Sequence, residues 1–81
     1  MPVKILVVED ERRVANFISR ALRENSFSVD IAETGARALN MAQENSYDSI
    51  LLDVRLPDLS GVQVCRELRE AHVDAPILMP S

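Results

Sequence analysis

Two aliphatic runs in this chain end in carboxylates. Ile5-Leu6-Val7-Val8 is followed by Glu9-Asp10, and Ser49-Ile50-Leu51-Leu52 by Asp53. A buried strand that stops at an acid delivers that acid to the C-terminal edge of its sheet, where open α/β sheets bind ligands. Two such strands side by side gather Glu9, Asp10 and Asp53 into one small cleft. Their repulsion is relieved if one member keeps a proton or if a cation is taken up. An oxygen-only ligand set suits Mg²⁺ or Mn²⁺. An aspartate so placed can attack phosphorus to form an acyl phosphate. A divalent cation would then offset the charge of the carboxylates and of the phosphoryl oxygens.

The segment after Asp53, Val54-Arg55-Leu56-Pro57-Asp58-Leu59-Ser60-Gly61, reads as a shaped turn. Pro57 presets φ, and Gly61 is expected to supply backbone angles that other residues avoid. Asp58 reads as a turn acid. Arg12 and Arg13 open the next element after Glu9-Asp10 and read as solvated surface near the cleft, with partner docking as a second role. Cys65 reads as helix packing, and His72 as a solvated helix-end residue.

The elements that must hold these residues alternate along the whole chain. Ile5 to Val8 is a continuous apolar run, the pattern of a parallel strand covered on both faces. Val14, Phe17, Ile18, Ala21 and Leu22 recur at helical spacing and predict one apolar stripe, which Asn25-Ser26 ends. Phe27, Val29 and Ile31 alternate with polar or small residues, as in a strand nearer the sheet edge. Thr34 is the N-cap candidate of a second helix carrying Ala38, Leu39 and Ala42, closed by Asn45-Ser46. Tyr47 to Asp53 is the third strand. Val64, Cys65 and Leu68 form the inner face of a third helix that ends near Ala71-His72, and Pro76 to Met79 begins a fourth strand. The order β-α-β-α-β-α-β, with right-handed crossovers, predicts a three-layer α/β/α sandwich around a parallel sheet.

The 81 residues allow one small domain, with 47% hydrophobic and 27% charged residues. A net charge of −4 without a basic run argues against direct nucleic-acid binding or an anionic membrane surface. One cysteine excludes an internal disulfide and fits a cytoplasmic protein. No apolar stretch reaches the roughly 20 residues of a membrane span, and the early strand leaves no room for a signal peptide.

The motifs KILVVED, ILLDVRLPDLSG and PILM together resemble the receiver domain of two-component response regulators. The resemblance covers essentially the whole chain and implies the flavodoxin-like strand order 2-1-3-4-5. It implies that Asp53 is the phosphoacceptor, with a sensor histidine kinase as donor. Asp10 would be a direct Mg²⁺ ligand, Glu9 an acid holding the metal through water, and the Arg55 backbone carbonyl a third ligand. Ser81 falls where the family hydrogen-bonds the phosphoryl group. The opening ILVVEDE is also similar to receivers that precede DNA-binding domains, which implies a transcriptional output.

Against the family pattern, the lysine that follows the next strand has no counterpart, since Lys4 is the only lysine. The switch aromatic, the fifth strand and the last helices have none either, and Pro80 stands where an apolar strand residue is usual. Residues 1–81 are therefore expected to be a C-terminally incomplete receiver, a signalling module and not an enzyme. Its uncovered sheet face and edge at Ile77-Leu78-Met79 are expected to drive homo-oligomerisation. Two rival readings remain: a fragment acting only through self-association, and a Mg²⁺-dependent phosphohydrolase with an aspartate nucleophile. Hydrolases of that type carry an acid two residues after the nucleophile, where Arg55 stands.

Overall fold

The computed structural model describes residues 2–79. Strand β1 (Lys4–Val8) leads to helix α1 (Arg12–Glu24), β2 (Ser28–Ala32), α2 (Gly35–Glu44), β3 (Ser49–Leu52), α3 (Gly61–Glu70) and β4 (Ile77–Leu78). The strands form one parallel sheet in the order β2-β1-β3-β4. The fold class and the order 2-1-3-4 expected from the sequence are both observed.

The sheet is buried on two sides because β1 is apolar at every position after Lys4. Leu6 and Val8 point to one face, where Ala32, Ile50 and Leu52 join them beneath Ala38 and Ala42 of α2 and Val64 and Leu68 of α3. Ile5 and Val7 point to the other, with Val29, and meet Ile18 and Leu22 of α1. Alternation along a strand makes both layers from one run of residues.

On α1 the inward stripe differs from the expected one. Ala15 and Ser19 are buried, while Phe17 is 75% exposed. The buried centre of the helix is shifted toward Ala15 and Ser19, while Val14, Ile18 and Leu22 of the expected stripe stay half-buried and Phe17 and Ala21 face solvent. With small side chains at an i, i+4 pair facing inward, Ile18 and Leu22 reach the sheet from the flank. Among the described residues, Ser19 Oγ has no hydrogen-bond partner.

The helix ends explain how the chain turns with only two glycines. Thr34 Oγ1 accepts from the Arg37 amide and Ser60 Oγ from the Gln63 amide, each at 3.1 Å, so both are N-caps. At the end of α1, Ser26 takes φ 69° and the Phe27 amide reaches back to the Leu22 carbonyl. At the end of α3, His72 takes φ 62° and the Val73 amide reaches back to Leu68. Both are Schellman-type endings built without glycine. Across the sheet's N-terminal edge, the Tyr47 hydroxyl donates to Asp30 Oδ2 at 2.8 Å, and Lys4 Nζ lies 3.6 Å from that oxygen. Burial and the adjacent Asp30 carboxylate push the Tyr47 hydroxyl above its ordinary range. Among the described residues no helix is long and apolar enough to cross a membrane.

Leu68 is fully buried in the layer under α2 and α3. Leu68→Ala should therefore cost about 2–5 kcal/mol of stability, read from denaturant midpoints. Tyr47→Phe, which removes only a hydrogen bond, should cost about 1 kcal/mol.

Candidate functional site

The site is positioned by strand register. Val8 lies opposite Ala32 on one side and Leu52 on the other, so three strands end at the same level. The Glu9 amide donates to the Ala32 carbonyl and the Asp53 amide to the Val8 carbonyl, both at 3.0 Å. The backbones that carry the acids are thus extensions of the ladder, not free loops. One carboxylate oxygen from each of Glu9, Asp10 and Asp53 falls within 4.8 Å of the others. Glu9 and Asp53 are half-buried and Asp10 is exposed. Glu9 Oε2 accepts from the Glu11 amide at 3.1 Å, and Asp53 Oδ1 from the Arg55 amide at 3.2 Å.

The cluster sits over an apolar floor. A small cavity of about 70 Å³ runs beneath Glu9 and Asp53, lined by Val7, Ile18 and Leu51 among others. Burial is the main influence that pushes Glu9 up to about 7, opposed by the Glu11 amide and reinforced by proton sharing with Asp53 and Asp10. Among the described residues, no side-chain cation pairs with the cluster. Arg12 and Arg13 are exposed, and the one ion pair among the described residues is Lys4–Asp30 at the opposite edge. An oxygen-only donor set, short of positive charge and open to solvent at Asp10, fits a hard divalent cation.

The loop after Asp53 closes on itself. The Gly61 amide donates to the Val54 carbonyl at 3.0 Å, and Arg55 pairs with Ser60 in an isolated antiparallel bridge. Gly61 has a negative φ, contrary to the reason expected for it. It is required for space: a Cβ there would lie 2.8 Å from the Asp53 carbonyl oxygen and 2.9 Å from Val54 Cα. Those are backbone atoms, which cannot swing away. The first residue of α3 thus packs directly on the main chain of Asp53.

Residues 5–81 match the sequence profile of the response regulator receiver domain. The chain belongs to this family. It is 46% identical over 79 residues to the response regulator MprA of Mycobacterium sp. (strain KMS), covering 98% of this chain and 34% of that protein. It therefore spans about a third of the length of the curated relatives it matches. Among solved structures it is similar to the response regulator TrrA of Thermotoga maritima in complex with Mg²⁺-BeF. That match has a TM-score of 0.90 and 35% identity, over 95% of this chain and 67% of TrrA. It is also similar to the receiver domain of the sensor histidine kinase PA1611 of Pseudomonas aeruginosa, solved with a magnesium ion coordinated in its active-site cleft. There the TM-score is 0.92 with 33% identity, over 98% of this chain and 66% of that one.

The sequence-derived acids Glu9, Asp10 and Asp53 are brought together, and Arg55 lies in the adjoining loop. Ser81 lies outside the described residues. Asp58 has more partners than a turn acid: it accepts from the Gly35 and Ala36 amides of α2, 23 and 22 residues away. Nothing local in the sequence announces that pairing. Gly61 did carry a usable signal. Thr34-Gly35 and Ser60-Gly61 each place a poor helix former just inside a hydroxyl cap, a choice that close packing explains better than propensity.

The raised Glu9 gives the receiver a pH signature in metal-free buffer. Its carboxyl binds a proton more readily folded, at about 7, than at its ordinary 4.5. The associated stability is complete below 4.5 and is lost as pH rises through about 7. Asp58, held below its ordinary value by the Ala36 and Gly35 amides, acts in the opposite sense and only at lower pH. Melting temperatures measured in a chelator should fall across that upper window, and Glu9→Gln should flatten the fall. A wild type and variant with parallel pH profiles would contradict the assignment.

Proposed function

We propose that this chain is the phosphoacceptor module of a two-component phosphorelay, taking a phosphoryl group from a sensor histidine kinase onto Asp53. The observation that carries the proposal is the convergence of Asp53 with Glu9 and Asp10 on one apolar-floored sheet edge. Asp10, Asp53 and the Arg55 carbonyl would hold Mg²⁺ (or Mn²⁺), with Glu9 contacting it through water. The cation supplies charge neutralisation for the incoming phosphoryl group. Asp53 presents its carboxylate on a ladder-fixed backbone. An Asp53 oxygen forms the new bond to phosphorus as the phosphorus–nitrogen bond of the donor breaks, and the imidazole leaves with the electron pair. Ser81 would hydrogen-bond the phosphoryl group. The product is an acyl phosphate, and the phosphoprotein is the signal: a cytoplasmic switch for a transcriptional response, not an enzyme acting on a separate substrate. Residues 1–81 are on this reading the larger part of one receiver domain.

The phosphohydrolase alternative is weaker on this structure. The residue two after Asp53 is Arg55, exposed and without a carboxylate to serve as general acid. Acetyl phosphate with Mg²⁺, followed by borohydride reduction and mass spectrometry, should place the label on Asp53 alone. Label on Glu9 or Asp10 with Asp53 clean would refute the reading, and steady phosphate release from simple esters would favour the hydrolase. At a metal concentration a hundredfold above Kd, Mg²⁺ should stabilise the wild type by about 2.7 kcal/mol. Asp10→Ala should lose most of that gain in the same thermal titration.

Self-association is favoured by a separate observation. Leu51 and Leu78 are cross-strand neighbours on the side of the sheet that carries α1. Leu51 is only half-buried, and Leu78 is 56% exposed. Together they offer apolar area that a second copy would cover, alongside the outer edge of β4. Sedimentation across a concentration series should show a dimer or larger species, dissociated by Leu78→Ser. A monomer at the highest concentration would refute it.

A further inference from the structure

The amides of the first turn of α2 are shared between two caps of different origin. Thr34 Oγ1, the helix's own N-cap, takes the Arg37 amide. Asp58 takes the two before it, Gly35 through Oδ1 at 2.8 Å and Ala36 through Oδ2 at 3.0 Å. Its Oδ1 also accepts from the Leu59 amide at 3.0 Å. Both carboxylate oxygens are therefore committed to backbone donors at a helix N-terminus, where the macrodipole favours an anion. Packing tightens the same junction: a Cβ on Gly35 would lie 3.0 Å from Leu59 Cβ and 2.8 Å from Val64 Cγ2. The loop and the helix meet with no room for a methyl group.

Asp58 stands at the outer bend of the ring that begins at Asp53. The inner side of that ring is closed by the Gly61–Val54 hydrogen bond and the Arg55–Ser60 bridge. Arg55 lies between the two acids, its amide held by Asp53 Oδ1. The segment carrying the Arg55 carbonyl is thus anchored at one end to the sheet and at the other to α2.

We propose that Asp58 is a positioning residue for the metal site. By fastening the β3–α3 loop to the first turn of α2, it fixes where the Arg55 carbonyl stands relative to Asp53 and Asp10. The same clamp makes metal occupancy and the order of α2's first turn depend on each other. This rests on the metal-site reading above. A purely structural cap would stabilise α2 and leave metal affinity untouched, so Thr34→Ala is the matched control: it removes a cap from the same turn without touching the loop.

The test is Mg²⁺ titration by calorimetry, with amide hydrogen exchange of Gly35 and Ala36 as a second readout. Asp58→Ala should weaken Mg²⁺ binding by about tenfold or more, the scale seen when groups that orient metal ligands are removed. Thr34→Ala should lower the melting temperature and leave affinity at the wild-type value. Mg²⁺ should slow exchange at Gly35 and Ala36 in the wild type and not in Asp58→Ala. If Asp58→Ala does not fold, Asp58→Asn carries the comparison: it places a donor against an amide and should bind with intermediate affinity. Wild-type affinity in the Asp58 variant, or equal weakening in Thr34→Ala, overturns the inference alone. A wild-type chain that binds no Mg²⁺ overturns the metal-site reading, and the inference with it.

Discussion

The parallel pairing of β1 with β3 is the constraint on which the rest of this receiver depends. It sets Val8 level with Leu52, and so makes the residues that follow them neighbours. It also decides the layers: Leu6 with Ile50 faces α2 and α3, and Val7 with Leu51 faces α1. A slip of one residue would send every aliphatic side chain of β1 to the opposite face. Because both faces are buried, that slip is costly, and the acids are held in place by the hydrophobic contacts beneath them. Three carboxylates can therefore be held together on this edge, at a cost in stability once Glu9 ionises, because the packed strands beneath them fix their positions.

Tight backbone approach supplies the remaining precision. Gly61 lies against the main chain of Asp53 and Val54, and Gly35 against Leu59 and Val64. At each position the helix begins at a hydroxyl-capped glycine and is pressed onto the loop that shapes the site. The two junctions share that loop, so α2, α3 and β3 meet around a single nine-residue segment, 53–61. Many of its side chains are exposed, and its form is fixed by main-chain hydrogen bonds, by Asp58, and by Leu56 and Leu59, which are half-buried against the main core.

Much of this was legible in the sequence because it rests on strong, periodic signals. The aliphatic runs gave the strands, the acids at their ends gave the cluster, and the hydroxyl cap at Thr34 gave one helix start; the matching cap at Ser60 came only with the structure. The misreadings arise where a contact outweighs a pattern. Phe17 scores as core by hydrophobicity, yet α1 turns Ala15 and Ser19 inward, and no count of apolar residues ranks a serine above a phenylalanine. Gly61 was expected to need a special φ and instead needs the absence of a side chain. Asp58 finds its partners more than twenty residues away, which only the folded topology can show.

The central place of β1 has a further consequence, for the order of events as the chain acquires its structure. Strand β1, made before both of its neighbours, is flanked by β2 and β3, and its pairing with β3 joins positions as far apart as Lys4 and Asp48, separated by 44 residues. Closing so long a segment carries an entropic cost that local helix formation does not share. Chains emerge N-terminus first, so Glu9 and Asp10 exist long before Asp53 can reach them. The acidic cluster cannot form until β3 has docked and the aliphatic layers are buried. Repulsion among the carboxylates is thus absent from the early search and enters only with the near-native sheet. A nascent chain would offer a divalent cation no preassembled cage, because the three acids converge only together with cooperative structure.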